Sequence, residues 1–185
     1  MRRQRLARRY ALAELPEHTA GRVVGIAQAL GDTLIAPITG RACVYYEVYE
    51  MRVANRNKRR AEARVLHERR GVPFLLLDGE VRAIVDPCHA EFVVDVDADT
   101  ASGTFDVPSR AVLLARHRQP SAHYKTRRYE EAVIAVGETI AVFGTAVLEL
   151  DPEAAPSGYR DELPRRIRLS GSQRLPLLIS DNPSR

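Results

Sequence analysis

The sequence predicts a mostly β fold, β-rich α+β in class, built as a single domain of about eight or nine short strands in a barrel- or sandwich-like arrangement with one or two short helices. Three observations lead there. Strand-length runs of β-branched and aromatic residues recur along most of the chain, and Gly, Pro, Asp and Ser punctuate them at the spacing of turns. The stretch Pro73–Val85 has the form of a hairpin around Asp78-Gly79.

Residues 2–13 have helix-forming composition, with Leu6, Tyr10 and Ala13 on one side among arginines, and Pro16 marks a stop. This predicts a basic N-terminal helix and linker over 1–18. From Gly21 the pattern turns strand-like: Gly-Arg-Val-Val-Gly-Ile-Ala-Gln-Ala-Leu, a turn at Gly31-Asp32, then Thr-Leu-Ile-Ala-Pro. Pro37 and Gly40 shape the next turn. Cys43–Val53 is the longest β-rich stretch, and an ideal strand places Cys43, Tyr45, Glu47, Tyr49, Met51 and Val53 on one face. Glu47 then stands among apolar neighbours. Either the tyrosine hydroxyls donate to it or it sits at a rim or bulge, and the rim or bulge is the expected solution.

Asp78-Gly79 is expected to supply the two positive-φ residues of a tight hairpin turn. Val81, Ala83 and Val85 alternate along the second arm, Pro87 ends it, and Glu91–Val96 forms another strand. Residues 97–128 lose this regularity. They read as a surface excursion, with a helical turn begun by Ser109 and running through Ala111 to Ala115. Tyr129-Glu-Glu-Ala-Val-Ile resembles one helical turn. Gly137 then turns the chain into a long strand, Thr139–Leu150, which Gly144 allows to bend. Ile167–Leu169 and Leu175–Ile179 close the sheet, so the β-rich domain runs over 19–181 with a tail at 182–185.

A chain of 185 residues, 45% apolar and 28% charged, falls among soluble globular domains. Its apolar runs, such as Val44–Tyr46 and Phe74–Leu77, are far shorter than the roughly 18 residues of a membrane-spanning helix. The arginines at the start are followed by Ala-Leu-Ala-Glu-Leu-Pro-Glu rather than an apolar stretch, so no export signal is read and a cytoplasmic location is expected. Two cysteines, Cys43 and Cys88, do not make a disulfide framework. The net charge of +4, from 28 basic and 24 acidic residues, is unevenly spread. Residues 1–9 hold Arg2, Arg3, Arg5, Arg8 and Arg9 and no acid; residues 52–70 hold eight bases, among them Arg56, Lys58, Arg59 and Arg60, against Glu62 and Glu68. These basic residues are the candidate electrostatic contacts, toward a protein partner, an anionic membrane surface or, less favoured, nucleic acid. No aromatic residue lies between Asn55 and Val72, so sequence-specific base readout has little support.

Catalytic patterns are weak. Cys88-His89 places thiol and imidazole side by side, but neighbours on an extended chain point apart and no CxxC or HxxxH pair accompanies them. Nucleophile-elbow and phosphate-loop glycine patterns are absent. Asp95, Asp97 and Asp99 lack the Gly and closing Glu of a calcium loop, and Glu130-Glu131 is the other acidic pair. No catalytic residue, cofactor site or metal site is therefore predicted.

Several segments together resemble a known family. They are Gly21-Arg-Val-Val-Gly, Leu34-Ile-Ala-Pro-Ile-Thr-Gly-Arg-Ala-Cys-Val-Tyr-Tyr-Glu-Val, Pro73-Phe-Leu-Leu-Leu-Asp-Gly with Val85-Asp-Pro and Ala90-Glu, Tyr129-Glu-Glu with Val136-Gly-Glu and Phe143-Gly, and Pro176-Leu-Leu-Ile-Ser-Asp. In order and spacing they are similar to the GIDE domain, also called BAM (beside-a-membrane), over residues 21–181. Pro37, Gly40, Cys43, Tyr45, Tyr46, Phe74, Asp78, Gly79, Pro87, Gly137 and Gly144 carry the likeness as scaffold positions. The resemblance implies a compact β-rich domain near a membrane surface, as in a mitochondrial RING-type E3 ubiquitin ligase and its prokaryotic relatives. It also implies recognition of a partner or substrate as the role. A RING needs eight Cys/His zinc ligands, and the flanking membrane helices of the ligase are not seen here. The expectation is thus a non-catalytic, membrane-proximal recognition domain that binds a protein, with no cofactor. The alternative is a β-barrel nucleic-acid-binding module that uses 52–70.

Overall fold

A computed structural model describes residues 8–56, 59–101, 112–113, 115–117, 127–151, 164–172 and 174–184. A 3-10 turn, Leu12–Glu14, precedes twelve strands among these residues. They are β1 (Ala20–Ala29), β2 (Leu34–Ile35), β3 (Ala42–Arg56), β4 (Arg59–Gly71), β5 (Phe74–Asp78), β6 (Val81–Val85), β7 (Glu91–Val93), β8 (Ala98–Ala101), β9 (Arg127–Ala135), β10 (Thr139–Leu150), β11 (Arg165–Ser170) and β12 (Leu178–Ser180). The chain is mostly β, as its strand-like runs predict. It divides into two compact units: Met1–Asp32 with Val72–Val94 and Val136–Arg185, and Thr33–Gly71 with Asp95–Ala135.

The first unit is a closed barrel. β1 pairs antiparallel with β5 and β10, β5 with β6, and β10 with β11, while β6 and β11 close the ring in parallel. Numbered within the unit, these five strands run 1-2-3-5-4 and back to 1. That connectivity is that of the Greek-key barrel called the OB-fold. β12 adds to β10, and β7 pairs in parallel with β12. Alternation along each strand sends Val23, Ala27, Phe74, Leu76, Ala83, Val85, Ile140, Val142 and Leu169 into the buried core.

The second unit is a sheet in the order β2-β3-β9-β8, with β4 on β3. β3 and β4 form one long hairpin whose register runs from Tyr45 opposite Gly71 to Arg56 opposite Arg59. Cys43, Tyr46, Val48, Leu66, Leu113 and Val133 make its core.

Several local expectations change. The described part of the N-terminal helix is only the 3-10 turn, because the Tyr10 amide bonds to the Arg22 carbonyl at 3.0 Å and Arg9 bridges to Arg22, drawing this segment alongside β1. Tyr129–Ile134 is strand, not helix: tertiary pairing with β3 and β8 overrides the glutamates' helix propensity. Of the 97–128 excursion, Ala98–Ala101 is strand β8 and residues 112–113 and 115–116 are helical. Fully buried Leu113 makes part of this segment core rather than surface. At the β5–β6 turn, Asp78 pairs with Val81, so Gly79 and Glu80 are the central residues. Only Gly79 has positive φ, at 62°, the pattern of a turn with Gly first rather than of one with two left-handed residues. A register shift between Cys43 and Tyr45 moves Cys43 to the face of Tyr46 and Val48, away from Tyr45, Glu47 and Tyr49. The strands beyond those expected are β4, β8 and β9: β4 and β9 pair with β3, and β8 pairs with β9.

Candidate functional site

The base of the β3–β4 hairpin carries a polar cluster on each face. On one face the Glu47 carboxylate accepts from the Tyr49 hydroxyl at 2.6 Å and the Tyr45 hydroxyl at 3.4 Å. It also lies 2.6 Å from His67 Nε2. Glu47 is half-buried and sits at neither of the β3 register shifts, so its hydrogen bonds, not a bulge, accommodate it. His67 stacks on Tyr49 with ring centroids 4.4 Å apart, and the Arg64 guanidinium lies 4.1 Å from the Tyr49 ring centre. Burial and then the nearby Glu47 push the Tyr45 hydroxyl well above its ordinary value. Burial and the hydrogen bond to Glu47 take Tyr49 up to about 12. Both tyrosines therefore remain protonated donors at physiological pH.

On the other face Tyr46 Oη donates to Glu68 Oε1 at 2.5 Å, and Arg116 Nη1 reaches the same oxygen at 2.6 Å. His117 Nε2 lies 2.6 Å from Oε2. Burial works against the charged form of Glu68, yet the hydrogen bonds from Tyr46 and His117 and the Arg116 charge hold it below the usual carboxylate range. A third carboxylate, Glu131 on β9, is fully buried and accepts the backbone amides of Ile38 at 2.7 Å and Thr39 at 2.9 Å. It fastens the β2–β3 turn, where the Gly40 amide bonds to the Ala36 carbonyl at 2.9 Å. In each cluster donors already satisfy the carboxylate, which braces the segments it joins.

The basic residues marked by the sequence separate. Arg2, Arg3, Arg5 and Lys58 lie outside the described residues. Arg8 and Arg9 are exposed, and the Arg8 guanidinium lies 5.1 Å from the Tyr10 ring centre. Register places Arg56 opposite Arg59 and Asn55 opposite Arg60 at the far end of the hairpin. Among the scaffold positions, Pro37 belongs to the turn that Glu131 fastens, and buried Cys43 has its thiol raised to about 12, chiefly by burial. Tyr45 and Tyr46 serve opposite clusters. Phe74 is in the barrel core, and Asp78 accepts the Leu12 amide at 2.7 Å. The Pro87 carbonyl takes the Ala90 amide at 2.9 Å, the Gly137 amide bonds to Ala27, and Gly144 pairs with Gly21. Cys88 is exposed in a turn where its amide bonds to Asp86 at 2.9 Å, with His89 at φ 64°. Asp97 pairs with Arg41 at 2.7 Å and accepts the Val133 amide, while Asp99 pairs with Arg128.

Sequence reasoning counted Glu68 and weighed Glu130-Glu131 as an acidic pair but gave neither Glu68 nor Glu131 a place in a site, and it did not single out His67, Arg116 or His117. Glu131 shows a period-2 relation to Tyr129 and Val133 once 127–135 is read as strand. The Arg116 and His117 contacts join residues 48 and 49 positions apart from Glu68, with no local signal.

The model of the GIDE family, described as E3 ubiquitin ligase, matches residues 44–157. This chain belongs to the GIDE family. The match begins inside β3 and runs past the end of β10, so the carboxylates Glu47, Glu68 and Glu131 of this GIDE chain lie within it, while the turn that Glu131 fastens precedes it. No curated protein and no solved structure matches it. Among its described residues no helix is long and apolar enough to cross a membrane.

Proposed function

We propose that this GIDE chain is a non-catalytic recognition domain that binds a protein partner or substrate beside a membrane, with 19–181 as the recognising part. The observation that supports the reading best is the β3–β4 hairpin. Its strands of 15 and 13 residues are braced on both faces by Glu47 and Glu68 and end in Arg56, Arg59 and Arg60. A stiff strand pair with a cationic end suits contact with an anionic surface rather than turnover. The family's description as an E3 ubiquitin ligase supports a protein as the partner. These 185 residues hold two cysteines and five histidines, one donor short of the eight that a RING uses, so ubiquitin transfer is not assigned to them. Arg8, Arg9 and the arginines before them would add weak attachment to an anionic membrane, about 1 kcal/mol each and salt-sensitive. The Tyr49 ring is taken up by His67 and Arg64 and is no open platform for a base.

The test is photo-crosslinking in cells from a crosslinker placed at position 58. Adducts removed by protease and lost with Arg59→Glu/Arg60→Glu are expected. Adducts removed by nuclease, with binding that falls steeply with salt, would replace this reading by the nucleic-acid one.

A further inference from the structure

On the outer face of the first unit's barrel, Leu30, Leu75, Arg82, Ile84, Asp151 and Arg166, with Ile167, line a cleft of about 140 Å³. In barrels of this connectivity the face of the second and third strands, here β5 and β6, is the general place where ligands bind. Connectivity alone assigns no ligand, so the cleft's own chemistry has to do so. Phe74, Leu76, Ala83 and Val85 are buried in the core, which turns Leu75, Leu77 and Arg82 outward. Leu75 stands opposite Ile84 and Leu77 opposite Arg82; Leu77 also faces Ile26, which is 41% exposed, and Leu30 is 38% exposed. The result is an aliphatic strip beside an arginine.

Most of the charges around the cleft are already engaged. Arg166 is engaged by Glu149 at 2.7 Å and Asp151 at 3.8 Å, and Arg168 by the same Glu149 at 2.7 Å. Arg82 is exposed and forms no ion pair with a described residue. Arg168 also feels the charge of Asp86. Among the described residues that line the cleft, Arg82 is thus the arginine left without an ion pair.

Size and composition narrow the occupant. The cleft is well below the ~300 Å³ at which pockets for whole small molecules begin, but it has room for one aliphatic side chain. None of the described residues that line it is an aromatic on which a base would stack. We propose that this cleft seats an extended acidic segment of a partner protein, an aliphatic side chain entering between Leu30, Leu75 and Ile167 while a neighbouring carboxylate pairs with Arg82. The inference rests on the recognition reading above and adds a place and a chemistry to it, apart from the basic hairpin.

The experiment is an amide NMR titration of the full chain with an acetylated, amidated peptide of alternating aspartate and leucine, with oligothymidylate as the competing probe. Saturable shifts at Leu75, Arg82, Ile84 and Ile167 are expected. Arg82→Glu should weaken the peptide by about tenfold or more, the scale of one lost charge-assisted contact, and Arg82→Lys by less. Arg82 is exposed, and the variant's spectrum away from the cleft reports whether its fold is intact. Peptide shifts confined to the β3–β4 hairpin would overturn the inference and leave protein recognition standing. No saturable shift up to about 1 mM peptide, or an unchanged affinity in Arg82→Glu with an intact spectrum, would also overturn it. Preference for the oligothymidylate in the cleft would sink both this inference and the recognition reading.

Discussion

Glu131 offers the sharpest test of how the second unit is held together. Its side chain is fully buried, and both carboxylate oxygens accept backbone amides of the turn between β2 and β3, from Ile38 at 2.7 Å and Thr39 at 2.9 Å. Glu131→Ala removes both acceptors at once. Each stranded amide costs about 1–3 kcal/mol, while relief of the buried carboxylate's own desolvation offsets part of the total, so about 3–4 kcal/mol is expected. Against a whole-domain stability of about 5–15 kcal/mol, that brings the second unit close to its limit. Glu131→Gln keeps one carbonyl acceptor but turns an amide N–H₂ toward a backbone donor, so it should lie between wild type and Ala. Urea unfolding followed by tyrosine fluorescence gives the free energies, and amide exchange at Ile38 and Thr39 places the effect. A cost below about 1 kcal/mol for Glu131→Ala, or unchanged exchange at those two amides, would refute the anchoring role.

The other predictions concern packing, thiols and pH. A Cβ on Gly144 would lie 2.5 Å from Leu177 Cδ1 and 3.1 Å from the Ser170 carbonyl, so Gly144→Ala should cost about 1–3 kcal/mol in urea unfolding. Adding Leu177→Ala should recover part of that loss, a non-additive double mutant. Cys43 is fully buried with its thiol raised to about 12 and Cys88 is exposed, so Ellman's reagent should titrate Cys88 alone in the native chain and both thiols in denaturant. Glu68 has a depressed folded-state value, so its contribution is fully present above the ordinary carboxylate value of about 4.3 and is lost as pH falls through the lower folded value. The stability gap between wild type and Glu68→Gln should therefore be constant at neutral pH and shrink on acidification below that point; a gap that widens in acid would contradict the assignment.

What could be read from the sequence was what neighbouring residues decide. The β5–β6 hairpin, the strand over 20–29 and the long strand over 139–150 each rest on local pattern, and the structure contains all three. Where a distant partner decides, local pattern failed. Tyr129-Glu-Glu has helix-forming composition, yet β3 needs a neighbour, and β9 supplies one in register from Cys43 to Arg52. The basic run after Arg52 gave no sign of continuing the strand because its pattern is charge rather than alternation, although it forms the rest of a 15-residue strand and most of a 13-residue one. The barrel was hidden in the same way. β1 and β5 are its first two neighbours, but the chain between them builds β2, β3 and β4 of the other unit.

The same physics governs which charges are available for recognition. Counting arginines along the chain draws attention to the N-terminus and to 52–70, but availability depends on what tertiary pairing consumes. Arg116 is held by Glu68, 48 positions away; Arg41 is held by Asp97, and Arg166 and Arg168 share Glu149. Arg82 reads in the sequence as one more polar residue on a hairpin arm. Its outward place on β6, opposite Leu77 and beside a cleft whose other lining arginine, Arg166, is engaged, gives it a charge with no ion-pair partner among the described residues. A surface arginine next to aliphatic side chains loses little by desolvation when a carboxylate arrives, because the guanidinium is weakly hydrated and its planar fork suits that partner. Recognition by this chain should therefore depend on Arg82 more strongly than the local density of basic residues suggests.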